Sequence, residues 1–263
     1  GQVNPGAGRG QRPVPSGERR GGVPAHQAPR RAAAPPAGER ADKGVADLLR
    51  RVIEAKGCLA ALKGIRTVVA DSRTVLQLQQ GTLPSTTRTY IVYPEKSRVN
   101  AEVNGAQTSQ VYNAGKAWVK SPAGVQDAPP PMLAEFAAGV RRDVIPMLID
   151  AAEGRLTARV MPDQKGRDGR QMHVLEISGP AIDRVRLFID DQMLIAGQAY
   201  SRSDPAGRQI LTEEVFSDYR EVSGVRVPFE AQLLQNGQPI LTRTLTNVVL
   251  NGPVADTIFV RPI

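Results

Sequence analysis

Short runs of β-branched and aromatic residues, separated by turn residues, make up most of the chain after residue 64 and restrict its fold more than any other feature. The pair Asn236-Gly237, between two such runs, is the strongest of several hairpin signals. Consecutive hairpins predict an antiparallel meander, either open or closed into a barrel. The predicted strands are Ile65–Gln80, Thr86–Tyr93, Ser97–Val103, Thr108–Tyr112, Lys116–Lys120, Leu156–Met161, Gln171–Ile177, Arg184–Ile189, Leu194–Tyr200, Gln209–Tyr219, Val225–Gln235 and Pro239–Val249.

Two amphipathic helices accompany the strands. Apolar residues recur at helical spacing along residues 45–56, and Gly57 is a typical helix terminator. A longer apolar stripe runs from Met132 to Ala152, although Pro146 predicts a kink or a break into two pieces. Because a sheet with many strands tends to curl, we expect a mainly β fold with two helices. In this fold a strongly curved antiparallel sheet, an incomplete β-barrel, encloses the long helix as a lid.

The first 43 residues differ in composition from the rest of the chain. They contain seven prolines, eight glycines and almost no bulky apolar residue, which predicts a disordered Pro/Gly/Arg-rich linker or tail. Residues 44–263 then form the folded domain. The leader carries five of the eight net positive charges, so the domain has an ordinary mixed surface, and we expect no nucleic-acid partner. The leader is expected to be a soluble spacer or, as the alternative, a contact for anionic surfaces.

The sequence shows no membrane span, no signal peptide and no pair of cysteines, and these absences restrict where in the cell the chain is expected. No run approaches the roughly 18 apolar residues of a membrane span, so we expect at most peripheral membrane contact. The chain begins at Gly1 without a visible signal peptide, which predicts a mature or excised fragment. Cys58 is the only cysteine and excludes an intrachain disulfide. Because it follows a helix C-terminus, we interpret it as a small buried packing residue rather than a reactive thiol.

Residues that could carry out chemistry are sparse. The two histidines are His26, in the leader, and His173, which we interpret as an ordinary strand residue. No zinc motif, serine nucleophile elbow or phosphate loop is present, so we expect no catalytic residues, no metal and no cofactor. The adjacent carboxylates 190–191 and 213–214 are interpreted as solvated turn and edge residues, with weak cation binding as the alternative. The aromatic residues fall in predicted elements, where they either fill a core or line an apolar cavity.

Four segments of this sequence resemble the LolA-like fold of periplasmic outer-membrane lipoprotein carriers. Ala61–Thr67, Ala-Leu-Lys-Gly-Ile-Arg-Thr, joins the first helix to the strands, as in that family. Tyr90–Pro94, followed by Arg98, resembles the family's strand that ends in a proline. Val111–Trp118 resembles its Asp-Gly-Lys-x-x-Trp hairpin, and residues 251–262 resemble its Asn…Phe…Pro ending. The resemblance extends over residues 45–263, through short motifs.

The resemblance implies a helical lid over an apolar cavity that holds acyl chains without covalent chemistry. The carriers have a lid-fastening arginine where this chain has Tyr93, and relatives have Gly-Gly where it has Gly57-Cys58. Both departures favour a divergent member whose ligand need not be a lipoprotein. The expected cavity and lid residues are Leu76, Leu78, Tyr93, Trp118, Phe136, Val140, Met147, Leu148 and Phe216.

Three hypotheses for the function follow. The first is a monomeric, non-catalytic carrier of a lipid, lipoprotein acyl chain or other hydrophobic ligand in the bacterial envelope, periplasmic or secreted. The second is an accessory C-terminal domain of an M16 (insulinase-like) zinc peptidase, because domains of this kind also occur there. Any peptidase activity would then reside in an upstream domain, with the leader as the linker. The third is a structural β-domain with a filled core.

Overall fold

A computed structural model describes residues 37–180, 182–204 and 206–263 of the chain. These residues form thirteen strands in one antiparallel sheet. The strands are β1 (Thr67–Leu78), β2 (Gly81–Val92), β3 (Lys96–Val103), β4 (Ala106–Asn113), β5 (Lys116–Ser121), β6 (Gly124–Asp127), β7 (Thr157–Lys165), β8 (Gln171–Gly179), β9 (Ile182–Ile189), β10 (Ile195–Ser203), β11 (Gln209–Val222), β12 (Val225–Gln235) and β13 (Gln238–Leu250). The helices are α1 (Ala37–Lys56), α2 (Leu59–Lys63), α3 (Pro130–Arg141) and α4 (Val144–Ala152), with a 3₁₀ turn at Asp256–Phe259.

The sheet consists of two meanders that join in its centre. Its order is β6-β5-β4-β3-β2-β1-β13-β12-β11-β10-β9-β8-β7, so the first and last strands are neighbours and the edges are β6 and β7. The Asn236-Gly237 pair forms the β12–β13 turn, with φ angles of 48° and 80°. The predicted class, a mainly β protein with a curved and open antiparallel sheet around helices, is confirmed. Strand β6 is an addition, since no strand is predicted between Lys120 and Leu156.

The helices differ in number and position from the prediction. Residues 1–36 of the predicted leader lie outside the described residues, and α1 begins at Ala37, eight residues before the predicted start. The predicted helix Met132–Ala152 is two helices, and they separate at Arg142 and Asp143 rather than at Pro146. Asp143 is the N-cap of α4, and its carboxylate accepts a hydrogen bond from the Ile145 N–H (3.0 Å). Pro146 is then in the first turn of α4, where a missing N–H costs little.

The main hydrophobic core lies under α1, α2 and α4. It joins apolar side chains of these helices to strands β8–β10, and its fully buried members include Leu62, Met147, Leu148, Leu175 and Leu187. A second and smaller core lies under α3 and consists of Tyr112, Ala117 and Val140 with partly buried neighbours. None of the helices in the described part of the chain has both the length and the apolar composition for crossing a bilayer.

The C-terminal segment covers part of the sheet face opposite to the helices. Arg98 and Asn113 donate hydrogen bonds to the carbonyls of Ile258 (2.8 Å) and Phe259 (3.1 Å), and the Phe259 side chain is fully buried. The Asn251 side chain also bridges Gly64 and Arg66, which fixes the entry to β1. The other face of the sheet therefore remains for the helices and for the cavity described next.

Candidate functional site

A cavity of about 550 Å³ lies between the sheet and the helices α3 and α4, which together form the lid. Side chains alternate between the two faces of a strand, so two alternate residues of each of β2, β3 and β4 point into the cavity. The apolar wall of the cavity consists of Val68, Ile91, Tyr93, Val99, Tyr112, Phe136, Val140, Val144, Ile145, Phe216, Val227, Leu245, Val248 and Leu250.

One side of the cavity carries a connected group of polar side chains, here called the polar end. Its members are Glu135, Arg142, Gln198, Tyr200, Arg202 and Glu214. The Arg142 guanidinium lies 4.2 Å from the centre of the Tyr200 ring and forms an ion pair with Glu135. Tyr200 Oη donates to Glu214 Oε1 (2.8 Å), and Gln198 Nε2 donates to the other oxygen of Glu214 (3.4 Å). Burial, followed by the negative charge of Glu214, raises the pKa of Tyr200 above its usual value.

A second polar group lies where α1 ends and the two lid helices meet. Lys56 is only 7% exposed, and its Nζ donates to the carbonyl of Arg226 (2.8 Å). Burial lowers the pKa of Lys56 to about 8, against the opposing effect of the Asp143 charge. Burial also raises the pKa of Asp143, although the Ile145 N–H, the Tyr93 hydroxyl and the Lys56 charge oppose this. Clusters of shifted pKa values are typical of functional sites.

Tyr93 connects the sheet to this second group. Burial is the main cause of its raised pKa, and the Asp143 charge adds to it. The Tyr93 Oη lies close enough to Asp143 for each group to affect the pKa of the other. It makes no hydrogen bond of standard geometry with the described residues. Tyr93 therefore lies next to Asp143, the N-cap residue of α4.

The structure brings together four of the nine residues that the sequence singled out. Tyr93, Phe136, Val140 and Phe216 line the cavity. Met147 and Leu148 are fully buried in the main core, where they hold α4 in place. The remaining three lie elsewhere: Trp118 pairs with Val111 on the opposite face of the sheet, and Leu76 and the 55%-exposed Leu78 lie near the end of β1.

Two interpretations from the sequence were wrong. Glu214 is not a solvated edge residue, because it lines the cavity and accepts two hydrogen bonds there; its neighbour Glu213 instead pairs with Arg167 (3.1 Å). Cys58 is exposed rather than buried and has a positive φ of 75° at the start of α2. His173 is a strand residue as predicted, with Nδ1 3.1 Å from Asp163.

Most of the polar residues of the cavity are not predicted by the sequence pattern. Glu135, Arg142 and Asp143 lie off the apolar stripe of a single helix over residues 132–152. The break after Arg141 lets Arg142 and Asp143 line the cavity, and Glu135 already faces inward on α3 beside Phe136. An Asp followed by an apolar run and a proline in the first turn is a helix-start signal, and it could have located the break. No local pattern indicated that Lys56 is buried.

A second concavity, of about 580 Å³, lies among polar strand residues and is a weaker candidate. Several of its side chains are already paired, among them Arg88 with Asp71 (3.5 Å) and Ser109 with Asn100 (2.8 Å). The described residues include no group of three or more His, Cys, Asp or Glu side chains placed to hold a metal ion.

Comparison with solved structures identifies the fold. A DUF1329 family protein from Desulfovibrio piger matches with a TM-score of 0.54 and 14% identity, over 82% of this chain and 96% of that chain. A domain from Vibrio parahaemolyticus, described as an outer membrane lipoprotein-sorting protein, matches at 0.53 and 12%, over 82% and 96%. A LolA superfamily protein from Nitrosomonas europaea matches at 0.51 and 12%, over 82% and 97%. The chain thus has a LolA-like fold, as its sequence motifs predicted.

Comparison of the sequence alone gave no match to a protein-family model or to a curated protein.

Proposed function

We propose that this chain is a non-catalytic binding or carrier protein for a hydrophobic ligand, such as a lipid or an acyl chain, in the bacterial cell envelope. The observation that carries this proposal is the cavity of about 550 Å³ between the apolar wall and the lid. Its volume is within the range of roughly 300–1,000 Å³ that is usual for small-molecule sites. Burying a methylene group in such a wall contributes about 0.8 kcal/mol, so a chain of several carbons could be held without covalent bonds.

The envelope location rests on the fold. One structural neighbour is described as an outer membrane lipoprotein-sorting protein and another as a LolA superfamily protein. A carrier of this kind acts as a monomer in our proposal, with the lid as the part that contacts the ligand. None of the three neighbours carries a peptidase name, and we propose no peptidase-associated role.

Filling the cavity tests this proposal. Val99 lies on β3 and belongs to the apolar wall, so Val99→Trp places an indole where the ligand would lie. With N-phenyl-1-naphthylamine, a neutral hydrophobic fluorophore, we expect the wild type to enhance its fluorescence saturably. The variant should bind it at least about tenfold more weakly, because the displaced volume removes apolar contact.

Glu102→Trp is the matched control. Glu102 is exposed on the same strand, and it alternates with the wall residues so that its side chain lies on the other face. This variant should bind the fluorophore like the wild type. Equal binding by both variants, or a wild type that does not bind, would contradict a ligand cavity under the lid.

A further inference from the structure

Unpaired polar atoms are concentrated in the cavity. Within the described residues, five buried side-chain nitrogen or oxygen atoms have no hydrogen-bond partner, and four of them belong to residues that line the cavity. Three of those four are in the polar end: Arg142 Nε, Arg202 Nε and Gln198 Oε1. Arg142 and Gln198 are only 8% and 6% exposed. Buried polar groups are normally paired, so this concentration calls for an explanation.

The two arginines approach the same carboxylate, Glu135. Arg142 is stacked on the Tyr200 ring at 4.2 Å and uses a terminal nitrogen for Glu135. Arg202 reaches the same Glu135 oxygen from β10, with 4.0 Å between its Nε and Oε1. Two guanidinium groups therefore lie around one carboxylate, and each retains an unused Nε–H.

The acidic groups of the polar end are already engaged. Glu135 accepts from Arg142, and Glu214 accepts from Tyr200 and Gln198. Around the whole cavity, four cationic side chains (Lys56, Arg142, Arg202 and Arg243) face three acidic ones (Glu135, Asp143 and Glu214). The Nε–H groups of the two arginines therefore lack an acceptor, such as a negative oxygen atom. The side-chain carbonyl of Gln198 lacks a donor.

A hydrocarbon chain cannot form hydrogen bonds with these groups. A carboxylate or phosphate oxygen, in contrast, accepts strong, charge-assisted hydrogen bonds from guanidinium groups. The apolar wall extends from β1–β4 to β12 and β13, and the polar end lies on β10, β11 and α3. The two regions face one continuous cavity, so a single molecule with a chain and a head could contact both.

We propose that the polar end binds the anionic head group, carboxylate or phosphate, of an amphiphile whose hydrocarbon chain lies against the apolar wall. This inference rests on the proposed function, because it assumes that the cavity holds a hydrophobic ligand. Arg142 and Arg202 donate to the head group, and Gln198 Oε1 accepts from a hydroxyl of the ligand where one is present. Glu135 and Glu214 keep these donors in position.

Competition for bound N-phenyl-1-naphthylamine distinguishes the sources of the anion. The competitors are dodecanoate, dodecyl phosphate, dodecanol, acetate and inorganic phosphate. We expect dodecanoate or dodecyl phosphate to bind about ten- to a hundredfold more tightly than dodecanol, which has the same chain, and acetate and phosphate to compete only at far higher concentration.

Equal affinity for dodecanol would overturn the inference and leave the carrier function intact. Free phosphate that binds as tightly as dodecyl phosphate would overturn the amphiphile. Failure of the fluorophore and of all chain-bearing competitors to bind would overturn the proposed function itself.

Arg202→Gln assigns the effect to the polar end. Its side chain is 32% exposed, so the variant should fold, and it should lose about tenfold in affinity for dodecanoate without a change for dodecanol. Arg142→Met should do the same, and Arg142→Lys should recover part of the loss. Arg141→Met, at the exposed neighbouring position on α3, is the control and should bind both like the wild type. Should Arg142→Met fail to fold, Arg202→Gln still decides the matter. A loss in Arg202→Gln that is equal for both competitors, or no loss, would overturn the inference.

Discussion

The two helices of the lid are held in very different ways. In α4 the buried residues are Ile145, Met147, Leu148 and Ala151, four of nine, and they belong to the main core. In α3 only Val140 is buried among twelve residues, and its surroundings are the small core with Tyr112 and Ala117. The difference teaches that stability and binding are separated along the lid: α4 anchors it, and α3 leaves its apolar side chains available to the cavity.

The boundary between the two helices is itself polar. Asp143 caps α4, lies next to Tyr93 of the sheet and interacts with Lys56 at the end of α1. Arg142, the C-cap residue of α3, belongs to the polar end. Both side chains line the cavity at the point where α3 ends and α4 begins.

The largest effect should come from truncating the anchored helix. Leu148→Ala removes a fully buried side chain from the main core, and we expect the free energy of unfolding to fall by about 3 kcal/mol. The matched change Leu133→Ala, in α3, affects a partly buried residue of the small core and should cost about 1 kcal/mol or less. Urea unfolding followed by circular dichroism measures both. Similar losses in the two variants would mean that α3 is anchored as firmly as α4.

Lys56 should make stability depend on pH at the boundary of the two helices. Its pKa is about 8 in the folded chain and 10.5 in the reference state, so the unfolded chain binds more protons between these values. The contribution of Lys56 to the free energy of unfolding therefore increases as pH rises from 8 to 10.5. The full increase corresponds to about 3 kcal/mol. The raised pKa values of Tyr93, Tyr200 and Tyr219 act in the opposite direction above about pH 10, because unfolded tyrosines ionise first.

The difference in unfolding free energy between the wild type and a Lys56 variant isolates the contribution of Lys56. Lys56→Met removes the titrating group and keeps an apolar stem of similar length. The unfolding free energy of the wild type, relative to Lys56→Met, should rise by about 2 kcal/mol between pH 7.5 and 10. Lys116→Met, at an exposed position of the β4–β5 hairpin, should follow the wild type. If the difference in unfolding free energy between wild type and Lys56→Met does not vary with pH, the pKa of Lys56 is not lowered in the folded chain.

Much of the fold could be predicted because its determinants are local. Alternating β-branched residues and turn pairs such as Asn236-Gly237 locate the strands, and the helix from residue 45 to Lys56 follows from one apolar stripe. Strand β6 was missed because Gly124–Asp127 offers a single apolar residue, Val125, and becomes a strand only by pairing with β5. Tertiary pairing here decides what the local sequence leaves open.

The candidate site was harder to predict because it depends on distant contacts. Phe136 and Phe216 could be proposed from their apolar character, and both line the cavity. Trp118 had the same character but lies on the other face, since a shift by one residue along a strand reverses the face. The polar end joins α3 to β10 and β11, more than fifty residues away, and no spacing in the sequence records that approach.

A smaller effect should separate binding from stability within α3. Phe136 lines the cavity and is only partly buried, so Phe136→Ala should lower the affinity for N-phenyl-1-naphthylamine about tenfold. The unfolding free energy should fall by about 1 kcal/mol, well below the cost of Leu148→Ala. Fluorescence titration and urea unfolding of the same preparation measure the two quantities. A loss of stability as large as that of Leu148→Ala, or an unchanged affinity, would contradict the separation of the two roles.

The smallest effect concerns backbone strain beside the anchored helix. Cys58 has φ 75° and ψ 154°, a conformation that belongs to glycine and costs other residues about 1–3 kcal/mol. Its side chain is exposed, and the following helix α2 contributes Leu62 to the core that holds α4. Cys58→Gly should therefore raise the free energy of unfolding by about 1 kcal/mol, after allowance for the greater freedom of glycine in the unfolded chain. Cys58→Ser keeps the Cβ atom and should leave stability unchanged, and neither variant should alter fluorophore binding under α3. Equal stabilisation by serine would attribute the effect to the thiol instead of the backbone, and a change in binding would show that strain on the α4 side is transmitted to the α3 side of the lid.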